Sequence, residues 1–326
     1  MSAFKYAVIV GTLGQLRDRY MGSGYKNEDV PFGEALQTLK DMNILSGIEL
    51  SHASEGILSD ATYVKQEIDR AGFTPAYVNS SLFGERRWAA GSLAASDPVI
   101  RNQALESVMK GMDFAKAVGA GGFNLWLGQD GFDYPFQTDY ASQWKYLVDS
   151  LRIIADYDPG FRIAIEPKQR EPRNRSIIDT VPTALLLCSE AGRDNLGLTI
   201  DIGHTLQSGQ NIAQHVELSA RLGRLFNLHV NDNYGSWDDD MIVGSVHLME
   251  YLEMIYSLKK VGYAGWISVD IFPFREDSFK ATRESVMHIR KYNELIDLIG
   301  FDQISRMISA GDVADTMKYI RETIFK

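Results

Sequence analysis

Short runs of apolar and β-branched residues alternate along the chain with longer stretches in which apolar positions recur at helical spacing. The runs Tyr6–Val10, Gly47–Leu50, Pro75–Asn79, Gly122–Trp126, Arg162–Ile165, Gly197–Ile200, Leu225–Val230 and Trp266–Val269 predict strands. Stretches such as Asn102–Ala117, Gln143–Ala155, Val181–Ala191 and Leu248–Lys260 predict amphipathic helices between them. Helix-stop signals stand just ahead of several strands, at Ala71-Gly72, Val118-Gly119-Ala120, Ala191-Gly192 and Val261-Gly262. Strands separated by helices imply parallel βα units, and eight such units imply a closed (β/α)8 barrel, the TIM-barrel architecture. A helix near Ser278–Asn293 follows the eighth strand, and two more helical stretches, Gln303–Ser309 and Val313–Phe325, lie beyond the barrel count. The pattern therefore predicts a catalytic barrel over residues 1–296 and a C-terminal helical extension over 297–326, packed on the barrel or on a neighbouring subunit.

Composition narrows the class. The 326 residues are 45% hydrophobic and 23% charged, enough to bury a large core in one domain. A net charge of -10 argues against nucleic acid or an anionic membrane as partner, because both need clustered Lys and Arg, and it suits a site that gathers cations. The lone Cys188 cannot form an internal disulfide. Met1 to Gly11 carries one Lys and an apolar run of only a few residues, too short for the apolar core of a signal peptide. No run approaches the roughly 18 apolar residues that span a bilayer. The expectation is a soluble, cytoplasmic protein.

In a barrel of this kind, chemistry sits where strands end at the C-terminal face. The fifth strand runs into Glu166-Pro167-Lys168, the sixth into Asp201-Ile202-Gly203-His204, the seventh into His229-Val230-Asn231-Asp232, and the eighth into Asp270. Glu166, Asp201, His229 and Asp270 are separated by 35, 28 and 41 residues, each about one βα unit, so neighbouring strands deliver them to one rim. Taken alone, a carboxylate at a strand end is commonly a helix N-cap, and a lone histidine a satisfied core residue. Together they are expensive without a cation, since like charges at close range raise each other's pKa. Three oxygens and one imidazole suit Mn²⁺, with Mg²⁺ or Co²⁺ as alternatives. His204, three residues after Asp201, and the run Trp237-Asp238-Asp239-Asp240 supply a possible second site, with Asp238 and Asp240 pointing the same way and Asp201 bridging. Three consecutive aspartates also read as a solvated turn. Lys168, beside Glu166, could donate to a substrate oxygen, or be a surface lysine.

These residues resemble a known family. Glu166-Pro167-Lys168-Gln169-Arg170-Glu171-Pro172-Arg173 is similar to the Glu-Pro-Lys segment of xylose isomerases. The stretch Arg101–Ala120, followed by Asn124-Leu125-Trp126-Leu127-Gly128, resembles a helix and Trp-containing strand of the same family. Leu228–Gly235 with its aspartate triplet looks closer to bacterial L-rhamnose isomerases of this superfamily. The resemblance runs from about Gly47 to Asp277. It implies one ion on Glu166, Asp201, His229 and Asp270, and a second on His204, Asp238 and Asp240 sharing Asp201. It also implies that Lys168 binds the substrate's terminal oxygen and that Trp126 and Phe83 wall the pocket. The implied reaction interconverts an aldose and a ketose of a free monosaccharide by moving a hydride between C1 and C2, in a homodimer or homotetramer.

One departure stands out. The family's ring-opening histidine follows strand two, whereas here Gly47-Ile48-Glu49-Leu50 leads to Ser51 and then His52, one position late. His52 is therefore expected to reach the site only from the loop, and joins Lys168 and Asp240 as a candidate catalytic residue. His215, His247 and His288 fall inside predicted helices. Two readings compete: a ketose 3-epimerase or another sugar-converting enzyme on the same barrel, and a non-catalytic binding or assembly subunit. Epimerases of the superfamily oppose two glutamates, so Asp270 and the second ligand set point to isomerisation. A sugar phosphate is disfavoured, because no Gly-rich loop or Arg cluster follows strands seven and eight.

Overall fold

A computed structural model describes residues 4–26, 29–52 and 56–324. The barrel strands are β1 (Lys5–Val8), β2 (Gly47–Ser51), β3 (Thr74–Asn79), β4 (Phe123–Trp126), β5 (Ile163–Glu166), β6 (Leu196–Asp201), β7 (Leu225–Val230) and β8 (Trp266–Val269). They pair in parallel in the order β1-β8-β7-β6-β5-β4-β3-β2. A parallel bridge between Ile9 and Glu49 brings the two ends of the sheet together. This is the (β/α)8 barrel expected, and each predicted strand is present to within two residues at either end.

The helices are α1 (Phe32–Met42), α2 (Ala61–Ala71), α3 (Pro98–Val118), α4 (Tyr140–Tyr157), α5 (Val181–Ala191), α6 (Ile202–Gln207), α7 (Ile212–Arg221), α8 (Leu248–Lys260) and α9 (Ser278–Ile299), followed by α10 (Phe301–Ala310) and α11 (Val313–Ile324). Their ends obey local chemistry. Asp97, Asp139 and Asp277 accept bonds from the first free backbone amides of α3, α4 and α9. α3 and α5 stop at Gly119 and Gly192, which take the left-handed backbone that a side chain disfavours. α9 runs through residue 296 and breaks only at Gly300, after which α10 and α11 lie on the surface. No helix among the described residues is long and apolar enough to cross a membrane.

A continuous apolar shell lies between strands and helices, built from residues such as Leu36, Ile48, Val108, Met112, Leu151, Leu198, Val230, Ile255 and Ile289. The barrel interior differs from this shell. Its lower end is closed by Tyr77, Phe226 and Trp266 around Ala7, Ala76 and Ala164. Gly122 and Gly197 leave room there, because a Cβ at either would lie 2.3 or 2.4 Å from the ring of Tyr77 or Phe226. Above that plug the interior turns polar: Glu49, Asn124, Thr199, Asn227 and Ser268 are all fully buried. Side chains alternate faces along a strand, so the next inward positions are Ser51, Trp126, Glu166, Asp201, His229 and Asp270. One strand period above the polar layer, the barrel presents its ligands.

Candidate metal centre

Four strand ends converge. Glu166, Asp201, His229 and Asp270 offer ligand atoms that all lie within 4.8 Å of one another, and Asp201, His204 and Asp238 form a second group by the same measure. Ladder register brings them together: Asp201 pairs with His229 across β6 and β7, and the Asp270 amide bonds the Val230 carbonyl. Asp201 is also the N-cap of α6, its Oδ1 accepting from the His204 amide at 2.8 Å. That single turn places His204 on the same side as its cap residue. The N-cap and ligand readings of Asp201 are thus compatible.

Asp238 and Asp240 arrive on a long loop. Asp232, fully buried, ties the loop's two ends: its backbone makes both bonds of an antiparallel bridge with Met241, and its carboxylate accepts from the amides of Val246 and His247 and from His247 Nδ1 at 2.7 Å. His247 therefore caps α8 rather than lying inside it. Asp240 is not in the second ligand group. It stands beside that group, bonded by Asn231 Nδ2 at 3.2 Å, and the same amide bonds Asp201 at 3.1 Å.

The charges are unevenly balanced. His229 directs Nε2 to Glu49 at 3.0 Å, while Nδ1 makes no hydrogen bond and lies 3.4 Å from Glu166 and 3.3 Å from Asp270. Burial alone would lift the Glu166 carboxyl, but His229, His204 and the Asn124 amide bring it down to about 2. Asp201 is pushed up to about 7 by burial and by Asp238, Glu166 and Asp270, against the pull of His204. Asp240 is likewise raised, by burial and by Asp238 and Asp270. Burial would lower His204, yet Asp201 and Asp238 raise it to about 9; its Nδ1 donates to the Pro167 carbonyl and its Nε2 to Asp238, each at 3.1 Å. Lys168 is buried, with Nζ 2.7 Å from Asp238 and 2.9 Å from Glu171. Burial opposes its charge, but Asp238, Asp240 and Glu171 hold it firmly protonated.

The donor set fits a hard divalent cation. Buried Glu166 and Asp201 and the half-buried Asp270 face His229. Burial would lower this imidazole, yet Glu49, Glu166 and Asp270 raise it well above its usual value. A cation that displaced its proton would gain a nitrogen ligand and balance the three carboxylates. Glu166, Asp201, His229 and Asp270 would hold that ion, and Asp201, His204 and Asp238 a second.

The cluster floors a cavity of ≈ 350 Å³, lined on one side by Ser51, Asn79 and Ser80 and on the other by Lys168, Asp238 and Asp240. Phe83 and Trp126 form its apolar wall, ring centroids 5.1 Å apart, and Lys168 lies 5.4 Å from the Trp126 ring. Of three larger hollows among the described residues, the two of ≈ 570 Å³, one around Arg162 and Trp266 and one beside His52, hold neither ligand group, and one of ≈ 500 Å³ shares Asp238 and Asp240 with this cavity.

Most expected site residues are gathered here, with two corrections: Asp240 stands beside the second ligand group rather than in it, and His52 lies elsewhere. His52 does not reach the cavity. Glu49 and Ser51 point inward, so strand alternation turns His52 outward, where its ring packs 5.6 Å from Phe114 of α3. Ser51 takes the inward place. The residue that sequence reasoning passed over is Glu49. Its signal was an acid flanked by Ile48 and Leu50 in an apolar strand, a charge with nowhere to go but the barrel interior.

Residues 45–292 match the model of a family described as xylose isomerase-like TIM barrel. A xylose isomerase of Thermus thermophilus is 28% identical over 207 residues, which cover 62% of this chain and 54% of that protein, so the match spans about half the relative's length. Among solved structures, 3-keto-D-glucoside 4-epimerase from E. coli is similar at TM-score 0.67 and 20% identity, covering 82% of this chain and 98% of that one. D-allulose 3-epimerase from Methylomonas sp., in complex with D-allulose, is similar at TM-score 0.69 and 18% identity, covering 89% and 97%. At these identities the structures attest a shared fold.

Proposed function

Because the chain belongs to the xylose isomerase-like TIM barrel family, we propose that it is a metal-dependent sugar isomerase that interconverts an aldose and a ketose of a free monosaccharide. One observation carries the reading: two ligand groups share Asp201 and present Glu166, His204, His229, Asp238 and Asp270 to a sugar-sized cavity, with the Lys168 ammonium 2.7 Å from Asp238 of the second. Divalent cations there would polarise two neighbouring oxygens of one substrate, the charge stabilisation that a hydride shift between adjacent carbons needs. Mn²⁺ is the ion of choice, with Mg²⁺ and Co²⁺ compatible with the same oxygens.

The chain's own residues do the rest. Lys168 stays cationic and donates to the substrate's terminal oxygen, stabilising charge that grows there. Trp126 and Phe83 keep water from the reacting carbons. Asp240, held in place by Asn231, stands where a proton can be held at a substrate hydroxyl. Ser51, Asn79 and Ser80 line the same cavity and add a polar rim suited to a hydroxylated substrate.

The test is a panel of aldoses deuterated at C2 and of ketoses in D₂O, each incubated with Mn²⁺-loaded protein. The proposal requires ketose product with deuterium delivered to C1. Exchange of a C3 hydrogen with solvent would assign a ketose 3-epimerase instead, and no turnover on any sugar would leave a binding subunit.

A further inference from the structure

We propose that Glu49 is a positioning residue for the metal centre: it locks the His229 imidazole with Nδ1 toward the ion and raises the basicity of that ligand. The inference rests on the reading that the cluster at the ends of β5 to β8 holds a divalent cation, and goes beyond it by giving a role to a residue outside both ligand groups.

Glu49 lies one strand period below Ser51 and is wholly buried. A buried carboxylate is costly unless each oxygen is met by donors. Four donors meet this one. Oε1 accepts from Asn227 Nδ2 at 2.8 Å and from Ser268 Oγ, and Oε2 accepts from His229 Nε2 at 3.0 Å and Asn79 Nδ2 at 3.3 Å. These donors come from β3, β7 and β8, so the acid is fixed from three strands.

An ionised carboxylate only accepts, so its imidazole partner must carry hydrogen on Nε2. A neutral imidazole then has its lone pair on Nδ1, the nitrogen that makes no hydrogen bond and lies between Glu166 and Asp270. Without Glu49, either nitrogen could turn to the cluster and either could carry the proton. With it, one ring orientation and one tautomer remain, and the nearby negative charge strengthens the lone pair as a donor to a cation.

A merely structural Glu49 would brace the barrel without altering the ligand field, and the experiment separates the two roles. Wild-type and Glu49→Gln proteins are stripped of metal and titrated with Co²⁺, reading Kd and the visible absorption bands, with circular dichroism reporting the fold. The amide keeps the size and one acceptor but removes the charge. The expected result is a folded variant whose Co²⁺ Kd rises about 10- to 100-fold, with shifted bands. A folded variant with wild-type Kd and bands overturns the inference while leaving the metal reading intact. Wild-type protein that binds no Co²⁺ overturns both. Should Glu49→Gln not fold, wild-type protein labelled with ¹⁵N-histidine and loaded with Zn²⁺ decides, its His229 signal assigned by loss in His229→Gln. A proton on Nε2 supports the inference, and a proton on Nδ1 overturns it.

Discussion

The two ligand groups share Asp201 but differ in how much of their charge the protein already balances. In the first, Glu166, Asp201 and Asp270 face a single cationic partner, His229, whose Nδ1 lies 3.4 Å from Glu166 and 3.3 Å from Asp270. In the second, Asp238 already carries two cationic partners, His204 Nε2 at 3.1 Å and Lys168 Nζ at 2.7 Å. An incoming ion must displace one proton, the one that Glu49, Glu166 and Asp270 hold on His229, in the first group, and must compete with both an ammonium and an imidazolium in the second. The difference teaches that ligand residue types do not set affinity alone; what they are bonded to beforehand does. The first group should bind tightly, and the second only when a proton leaves or a substrate draws Lys168 away.

Replacing the shared member removes the comparison altogether. Asp201→Asn should abolish turnover, beyond the roughly 100- to 1000-fold that loss of a single transition-state donor costs, and lower metal content in both groups by elemental analysis. Unchanged stoichiometry would remove Asp201 as the bridge. Lys168→Met should slow kcat by about 100-fold or more while the first ion stays bound, and should tighten the second by freeing Asp238. Wild-type rates would take Lys168 out of the mechanism.

Asp238→Asn sharpens the contrast from the other side. It should weaken the second site by at least about 10-fold and spare the first, so stoichiometry falls from two ions to one in a Mn²⁺ titration. Acidity should weaken both sites. Burial and neighbouring acids raise Asp201 to about 7, and Asp201 and Asp238 raise His204 to about 9 against its own burial, so each holds a proton that the ion must displace below those values. Affinity should therefore climb with pH, by about tenfold per unit for each proton displaced, and calorimetry at pH 7 in buffers of different ionisation heat should detect proton release. Smallest of all, His52→Ala should leave kcat unchanged and cost on the order of 1 kcal/mol of stability through lost packing on Phe114. A large fall in kcat would return His52 to the site.

Much of this was legible in the chain because two periods are strict. Helical spacing and glycine stops marked the βα units, and strand ends one unit apart marked Glu166, Asp201, His229 and Asp270 as neighbours. What was not legible depends on loop paths and on side-chain direction beyond a strand. The aspartate triplet was found, but the antiparallel bridge between Asp232 and Met241 that folds it over the mouth, and the left-handed backbone of Asp240, are tertiary facts. His52 was already one position late for the site, and the direction its side chain takes beyond β2, here onto Phe114, is likewise a tertiary fact. Asn124 and Asn231, each bonded to a ligand carboxylate, carry no sequence signal apart from a polar residue at an inward position.

The account's central claim is that four strand ends grip one divalent cation. Titration of metal-free protein with Mn²⁺, followed by the electron paramagnetic resonance of the free ion, tests it most directly when wild type is set beside Glu166→Gln. The account predicts one tightly bound ion per chain in wild type, with a weaker second, and loss of the tight ion in the variant. Mn²⁺ left free in wild type, or bound equally well by both proteins, would contradict it.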